Sequence, residues 1–359
     1  MTMDPATLIP AADAIPVHWG WLKLLLLSTF LLHLLCMNTM LGIGIIALAQ
    51  SVFTASRTGE SNREIGSKLP YAIAFTVNMG VAPLLFIQAL YGQFIYTSSI
   101  MMAVYWLSII ALLIIAYYSA YLYHYRFDAV GSARIVFMGL TVAILLIIGF
   151  FFSNNMTMML SPEKWPRYFD APNGLLLNLS EPTLAPRYLH VVLSAVAVGG
   201  LFLALVWEVK GRGGNSRHHR HIEQGLRWFA GATLLQFVVG SWWLASLPRH
   251  LTGLFMGGSS VATTSFALGL TGTILSLVFS FRNQTKPCVV STVLTIACMV
   301  IMRDHLRTSS LEPYFTLSTL KVVPQYGSLV LFLVALGIGA VGVTYMLKLA
   351  FGKKPEAAS

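Results

Sequence analysis

The sequence predicts an all-α integral membrane protein of about nine transmembrane helices. Of its 359 residues, 56% are apolar and only 10% are charged, and the mean hydropathy is +0.73, which is unsuited to a soluble surface. Nine apolar runs are each long enough to cross about 30 Å of hydrocarbon, which takes roughly 20 residues. Polar or Pro/Gly-rich breaks separate the runs, which we place near 22–50, 70–95, 99–122, 134–159, 187–209, 227–247, 260–281, 287–303 and 324–349.

The distribution of basic residues predicts that the amino terminus lies outside and the carboxyl terminus in the cytoplasm. With that topology the cytoplasmic segments hold 15 of the 23 lysines and arginines and the outer segments hold 8, as the positive-inside rule requires. The formal charge of +10 is therefore explained by topology, and it does not indicate binding to nucleic acid. Membrane lipid is therefore an expected binding partner of this chain.

One transmembrane domain is predicted to occupy residues 22–350. An outer amino-terminal segment, 1–21, precedes it and a cytoplasmic tail, 351–359, follows it. The outer segment 160–186 is rich in proline and aromatic residues, which is typical of an ordered cap near the membrane interface. The segment from Lys210 to Arg227 is basic and Gly-rich, and we interpret it as a solvated cytoplasmic loop.

The cysteines give no support for two kinds of cofactor site within this chain. Cys36, Cys288 and Cys298 lie in or beside apolar runs, and they show neither CxxC nor CxxCH spacing. Covalent haem c and a cysteine-based zinc site are therefore unsupported. The three thiols are expected to pack as small core residues.

Two intramembrane histidines, His33 and His190, are the candidate metal ligands. Ionisable residues within a membrane are costly and often functional. A neutral imidazole offers a lone pair to iron, and each histidine follows a basic residue, Lys23 or Arg187, that could contact haem propionates. Lys23 is about 15 Å along the helix from His33 at about 1.5 Å per residue. Either histidine could instead form a hydrogen bond between helices.

A third basic position, Arg303, lies at the outer end of the eighth apolar run. It begins the stretch Arg303-Asp304-His305-Leu306-Arg307. An Arg–Asp pair at this position has a structural interpretation, and contact with a propionate or a quinone is the alternative. We include Arg303 among the candidate cofactor-binding residues.

Three stretches resemble subunit I of the cytochrome bd quinol oxidases. The stretch from Lys23 to His33 resembles the family's basic residue and haem-ligating histidine on helix one. Residues 153–162 are similar to the family's Asn-x-Trp-Met-x-x-Pro turn, and the stretch from Arg187 to His190 is similar to its Arg-x-x-His entry into helix five. The resemblance implies a bd-like helix bundle in a bacterial inner membrane, with one or two b haems held by His33 and His190.

Other motifs of that family are missing. Residues 70–123 contain no Asp or Glu, where the family has carboxylates for proton delivery. The family's Ser-Phe-Arg-x-Met haem site is replaced by residues 265–269, its long quinol-binding loop is shortened to 248–259, and its Gly-Arg-Gln-Pro-Trp motif is replaced around 302–305. These departures disfavour oxygen reduction.

The resemblance therefore implies a membrane-bound haem-b cytochrome that transfers electrons between the quinone pool and a partner redox protein on the outer face. The partner would be a haem c or iron–sulfur protein, and quinone or quinol would be the substrate. Catalytic residues are not identified, and an enzymatic role as a quinol-linked oxidoreductase component stays open. The alternatives are a cytochrome bd-type terminal oxidase subunit, or a non-redox transporter or structural subunit.

Overall fold

A computed structural model describes residues 4–53, 60–126, 129, 131–211 and 216–351. These described residues form nine helices long and apolar enough to span a membrane, and they contain no β-strand. The helices are α1 (Trp19–Phe53), α2 (Glu60–Met101), α3 (Ala103–Tyr125), α4 (Arg134–Met159), α5 (Leu184–Lys210), α6 (Ser216–Ser246), α7 (Ser260–Phe281), α8 (Thr285–Leu311) and α9 (Tyr326–Phe351). The prediction of an all-α, multi-pass membrane protein is confirmed.

The helices pack as two groups joined through α1 and α5. Helices α2, α3 and α4 contact one another, and α1 contacts α2 and α4. Helix α5 packs closely on α6, and α7 packs on α8. The contact between α1 and α5 joins the groups, and α8 touches both of these helices. The side chains of 326–349 in α9 are all exposed, so this helix adds no buried core.

The junction between α1 and α5 depends on glycine. A Cβ atom on Gly42 would lie 1.8 Å from the carbonyl oxygen of Ala195 and 2.9 Å from the α-carbon of Gly199. Small residues allow such close approach of two backbones in membrane helices. Asn38 donates a hydrogen bond across the same junction to Ser194, at 3.4 Å. Increasing residue numbers on α1 thus meet increasing numbers on α5, so the two helices are parallel.

The end of the bundle where α1 begins, here called the amino-terminal end, carries an ordered cap. Pro162–Asp170 forms a short 3₁₀ helix, and its buried Trp165 donates a hydrogen bond from Nε1 to the carbonyl of Met158, at 3.0 Å. Ile15 exchanges backbone hydrogen bonds of 2.9 Å with Lys321 and Val323. The bridge ties the segment before α1 to the α8–α9 connection.

Several helix ends differ from the sequence prediction, and the differences at α8 and α6 involve charged segments. The predicted eighth span ended at 303, whereas α8 continues to Leu311 because its charged stretch buries Asp304 and Arg307 against neighbouring helices. The predicted loop from 210 to 227 was wrong over most of its length, since α6 begins at Ser216. There His221 stacks on Trp207 with ring centroids 4.3 Å apart. The predicted tail, apart from Phe351, lies outside the described residues, as do the basic positions 57, 212, 353 and 354.

Candidate functional site

The five predicted site residues lie on three helices that contact one another. Lys23 and His33 belong to α1, Arg187 and His190 to α5, and Arg303 to α8. The cationic residues gather toward the amino-terminal end of the bundle, and the histidines lie deeper. The sequence placed these residues on the correct helices, and the structure supplies their neighbours.

His33 is oriented by α2. Its Nδ1 lies 3.2 Å from the backbone carbonyl oxygen of Thr76, and a Cβ on Gly80 would approach its Cε1 to 2.9 Å. The neutral tautomer that donates from Nδ1 to this carbonyl leaves the Nε2 lone pair available. Histidines that bind metals in proteins are commonly oriented by this type of hydrogen bond. The absence of a side chain at Gly80 creates the space that the ring fills.

His190 faces α6, near Gly240. Its Nδ1 is buried and has no hydrogen-bond partner among the described residues. The nearest glycine is Gly240, whose added Cβ would lie 3.9 Å from the ring. Gln236 donates a hydrogen bond of 3.2 Å to the backbone carbonyl of His190. A buried imidazole nitrogen without a partner is costly, so a ligand there would be favoured.

The two histidines lie at closely similar depth. Gly42 and Gly199 meet at the α1–α5 junction, and each histidine precedes its glycine by the same number of residues, from 33 to 42 and from 190 to 199. Because parallel α-helices rise equally per residue, this register places both imidazoles at one level. Their rings contact different helices, α2 for His33 and α6 for His190.

A buried ion-pair network lies between these histidines and the amino-terminal end. Lys23 Nζ is 2.8 Å from Asp304 Oδ2, and Arg307 Nη1 is 3.4 Å from Asp304 Oδ1. The carboxylate is 3% exposed, whereas the Lys23 side chain is 25% exposed. Arg307 also lies over the Tyr91 ring, 5.4 Å from its centroid. Asp304 therefore joins α1 to α8 and neutralises part of the local positive charge.

Two further guanidinium groups are within electrostatic reach of this network. Arg303 lies over the Phe30 ring at 4.7 Å, and its charge interacts with Arg307, Arg187 and His33. The Nε of Arg187 is buried without a hydrogen-bond partner in the described chain. Glu181 attracts Arg187 electrostatically. An aromatic face stabilises a guanidinium only modestly, by about 0.5–2 kcal/mol.

Positive charge is in excess at this site. Lys23, Arg187, Arg303 and Arg307 are four cations, and within the described part of the chain they interact with two carboxylates, Asp304 and Glu181. Glu181 also forms an ion pair with Lys164, so its charge is shared. Unpaired charges are costly within a membrane. An anionic ligand group would therefore be stabilised beside Arg187 and Arg303.

These features fit a b-type haem. Such a group needs an imidazole lone pair for iron and cationic side chains for its carboxylates. His33 and His190 each provide a nitrogen, and the neighbouring cations lie on the amino-terminal side of both. The described residues contain no group of three or more His, Cys, Asp or Glu side chains that could hold a metal ion. Haem iron does not require such a group, because it takes no more than two axial ligands from the protein.

Several residues of the site received less weight in the sequence analysis than the structure gives them. Asp304 and Arg307 were not among the predicted site residues, although they form the centre of the ion-pair network. Gly80 and Gly240 were not assigned to the histidines. Spacing along one helix cannot reveal these partners, because they come from other helices. For Asp304 and Arg307, the signal available in the sequence was the charged stretch 303–307.

The sequence matches no protein-family model, and it matches no curated protein. The functional proposal therefore depends on the geometry of this site.

Proposed function

We propose that the chain is a membrane-bound haem-b cytochrome that transfers electrons between the quinone pool and a partner redox protein on the outer face. The observation that carries this proposal is the arrangement of His33 and His190. Both lie at one depth, each with an imidazole nitrogen available to iron, and both lie beneath a site with excess positive charge. The amino-terminal end of the bundle would be the outer face.

His33 and His190 would hold the iron of one or two b haems, with the His33 ring packed against α2 and the His190 ring near α6. Haem bound at these positions would supply reversible one-electron exchange between ferrous and ferric iron. The Thr76 carbonyl would fix the His33 tautomer. Arg187 and Arg303 would bind propionate carboxylates, which would neutralise charges that Asp304 leaves unpaired.

The positions of the cations support electron exchange with a partner protein at the outer face. Lys23 and Arg187 precede the histidines on α1 and α5, both of which start at the amino-terminal end. The cap formed by 162–170 covers the same end. A haem c or iron–sulfur protein would approach the bound haem most closely from this side.

The test is a reduced-minus-oxidised visible spectrum with pyridine haemochrome quantification on detergent-purified protein. We expect haem b in the wild type and a lower haem-to-protein ratio in both His33→Ala and His190→Ala. His124→Ala is the matched control, since His124 lies on α3 and its ring is tilted against that of Tyr125, with the centroids 4.6 Å apart. Wild-type protein without haem after expression with ample haem supply would overturn the proposal.

A further inference from the structure

A groove between α2 and α3 opens toward the surrounding lipid. Its volume is about 670 Å³, which is within the range of about 300–1,000 Å³ for small-molecule sites. The lining residues are Ile73, Ala74, Val77, Asn78, Leu113, Ile114, Tyr117, Tyr118 and Tyr121. The groove is separate from the cationic site on α1, α5 and α8.

Hydrogen-bonding groups are present in this otherwise aliphatic groove. The hydroxyl oxygens of Tyr117 and Tyr121 are 3.2 Å apart. Two phenols carry two O–H donors, and their mutual hydrogen bond uses one of them. The second O–H is left to donate to a ligand.

Asn78 adds a further donor and an acceptor. Its Nδ2 donates to the backbone carbonyl of Ala74 at 2.9 Å, which leaves one N–H and the carbonyl oxygen of the amide. The residue is exposed, and in a membrane that surface faces hydrocarbon, where each unsatisfied polar group costs several kcal/mol. A ligand with both apolar and hydrogen-bonding parts would remove this cost.

The absence of charged residues in the groove indicates which class of amphiphile it can bind. None of its lining residues is charged, so nothing there would compensate the phosphate of a phospholipid headgroup. A quinone ring is neutral and planar, and it has two carbonyl acceptors for the free phenol O–H and the amide N–H. Its isoprenoid tail matches Ile73, Val77, Leu113 and Ile114 in polarity.

The groove is also close to His33. Thr76, whose carbonyl contacts the His33 ring, is two residues from Asn78 on α2, so these positions face opposite sides of one helix at nearly the same level. A helix with its side chains is about 10 Å across. A ring bound at Asn78 would therefore be separated from His33 by little more than α2.

We propose that this groove binds the head and the first part of the tail of an isoprenoid quinone. The identity of the ligand rests on the proposed cytochrome function, whereas the fit of a neutral amphiphile rests on the groove alone. Tyr121 and Asn78 supply hydrogen bonds to the two carbonyls. The tail leaves between α2 and α3 into the lipid.

The test is photolabelling with an azidoquinone that carries a decyl tail, using full-length protein in phosphatidylcholine nanodiscs. We expect the labelled peptides to come from 69–80 and 109–122. The double variant Asn78→Leu/Tyr121→Phe is expected to lower labelling about tenfold, as for two lost neutral hydrogen bonds. Val77→Trp fills the groove and is expected to abolish labelling. Tyr105→Phe, on α3 like Tyr121, is expected to leave labelling unchanged.

Labelling elsewhere, or labelling that is equal in Val77→Trp and Tyr105→Phe, would overturn the inference. Bound phospholipid that excess azidoquinone does not displace would also overturn it. Haem content is measured on the same samples. Haem-containing protein without groove labelling refutes the quinone site alone, whereas groove labelling in haem-free protein refutes the cytochrome proposal and leaves the site intact.

Discussion

Gly42 and Gly199 bring α1 and α5 into backbone contact, and a Cβ on Gly199 would lie 2.5 Å from the carbonyl carbon of Gly42. This contact fixes the register of two parallel helices. The register in turn places His33 and His190 at one depth. The relationship between the two glycines therefore determines the geometry of the proposed cofactor sites.

Substitution at this contact should destabilise the bundle. We expect Gly199→Ala to cost about 1–3 kcal/mol, because the new methyl group meets backbone that must shift. Gly139→Ala on α4 is the control, since its Cβ would have its nearest neighbour at 3.8 Å. Both substitutions increase helix propensity equally. The difference between their unfolding temperatures therefore measures the effect of the α1–α5 contact. Equal stability of the two variants would contradict the close approach.

Gly80, beside His33, should tolerate substitution by alanine less well than Gly240, beside His190. A Cβ on Gly80 would lie 2.9 Å from the His33 ring, compared with 3.9 Å between Gly240 and His190. We therefore expect Gly80→Ala to displace the His33 imidazole, which lowers haem content or shifts the reduced absorption band. Gly240→Ala should resemble the wild type. The reverse order of effects would contradict the assigned packing.

Asp304 should be important for stability. Asp304→Asn removes the carboxylate shared by Lys23 and Arg307, and leaving buried charges unpaired costs about 3–5 kcal/mol. Lys23→Met should cost less, because the Lys23 side chain is partly exposed and Arg307 keeps its partner. Thermal unfolding of both variants measures these losses.

The exposed Asp170 provides a matched control for that change. Asp170→Asn is expected to leave the unfolding temperature almost unchanged. A double variant, Lys23→Met/Asp304→Asn, should lose less stability than the sum of the single losses, since the two side chains interact directly. Strict additivity would show that the ion pair contributes nothing.

The cap should weaken in acid. Partial burial raises the pKa of Glu181, but hydrogen bonds from Lys164 and Thr183 and the Lys164 charge outweigh burial and hold this pKa below its ordinary value of 4.5. Because the folded pKa is the lower one, the stabilisation is present at neutral pH and is lost as the pH falls below 4.5 through the folded value.

We expect Glu181→Gln to destabilise the protein by about 1 kcal/mol or less at pH 7, since the pair is partly exposed. The difference in stability between the variant and the wild type should disappear at the acid end of the titration. Proteolysis of the 160–186 segment as a function of pH measures the effect. A stability difference that increases on acidification would contradict a stabilising ion pair between Lys164 and Glu181.

Much of the candidate site was predictable because single residues on apolar helices are conspicuous. His33, His190, Lys23 and Arg187 were each identifiable as polar residues in or beside an apolar run. The ion pair between Asp304 and Lys23 was not predictable, since the two residues are distant in the chain. The groove beside Asn78 was missed for the same reason, because its two walls belong to different helices.

The sequence by itself determined that the chain is a multi-pass helical membrane protein. Hydrocarbon accepts only backbone that satisfies its own hydrogen bonds, so length and apolarity specify the spans within one segment. Only the tertiary structure decided which spans touch, and with them the register of α1 and α5, the burial of Asp304 and the level of the two histidines. Such contacts depend on packing between helices, which the hydropathy of a single span does not encode.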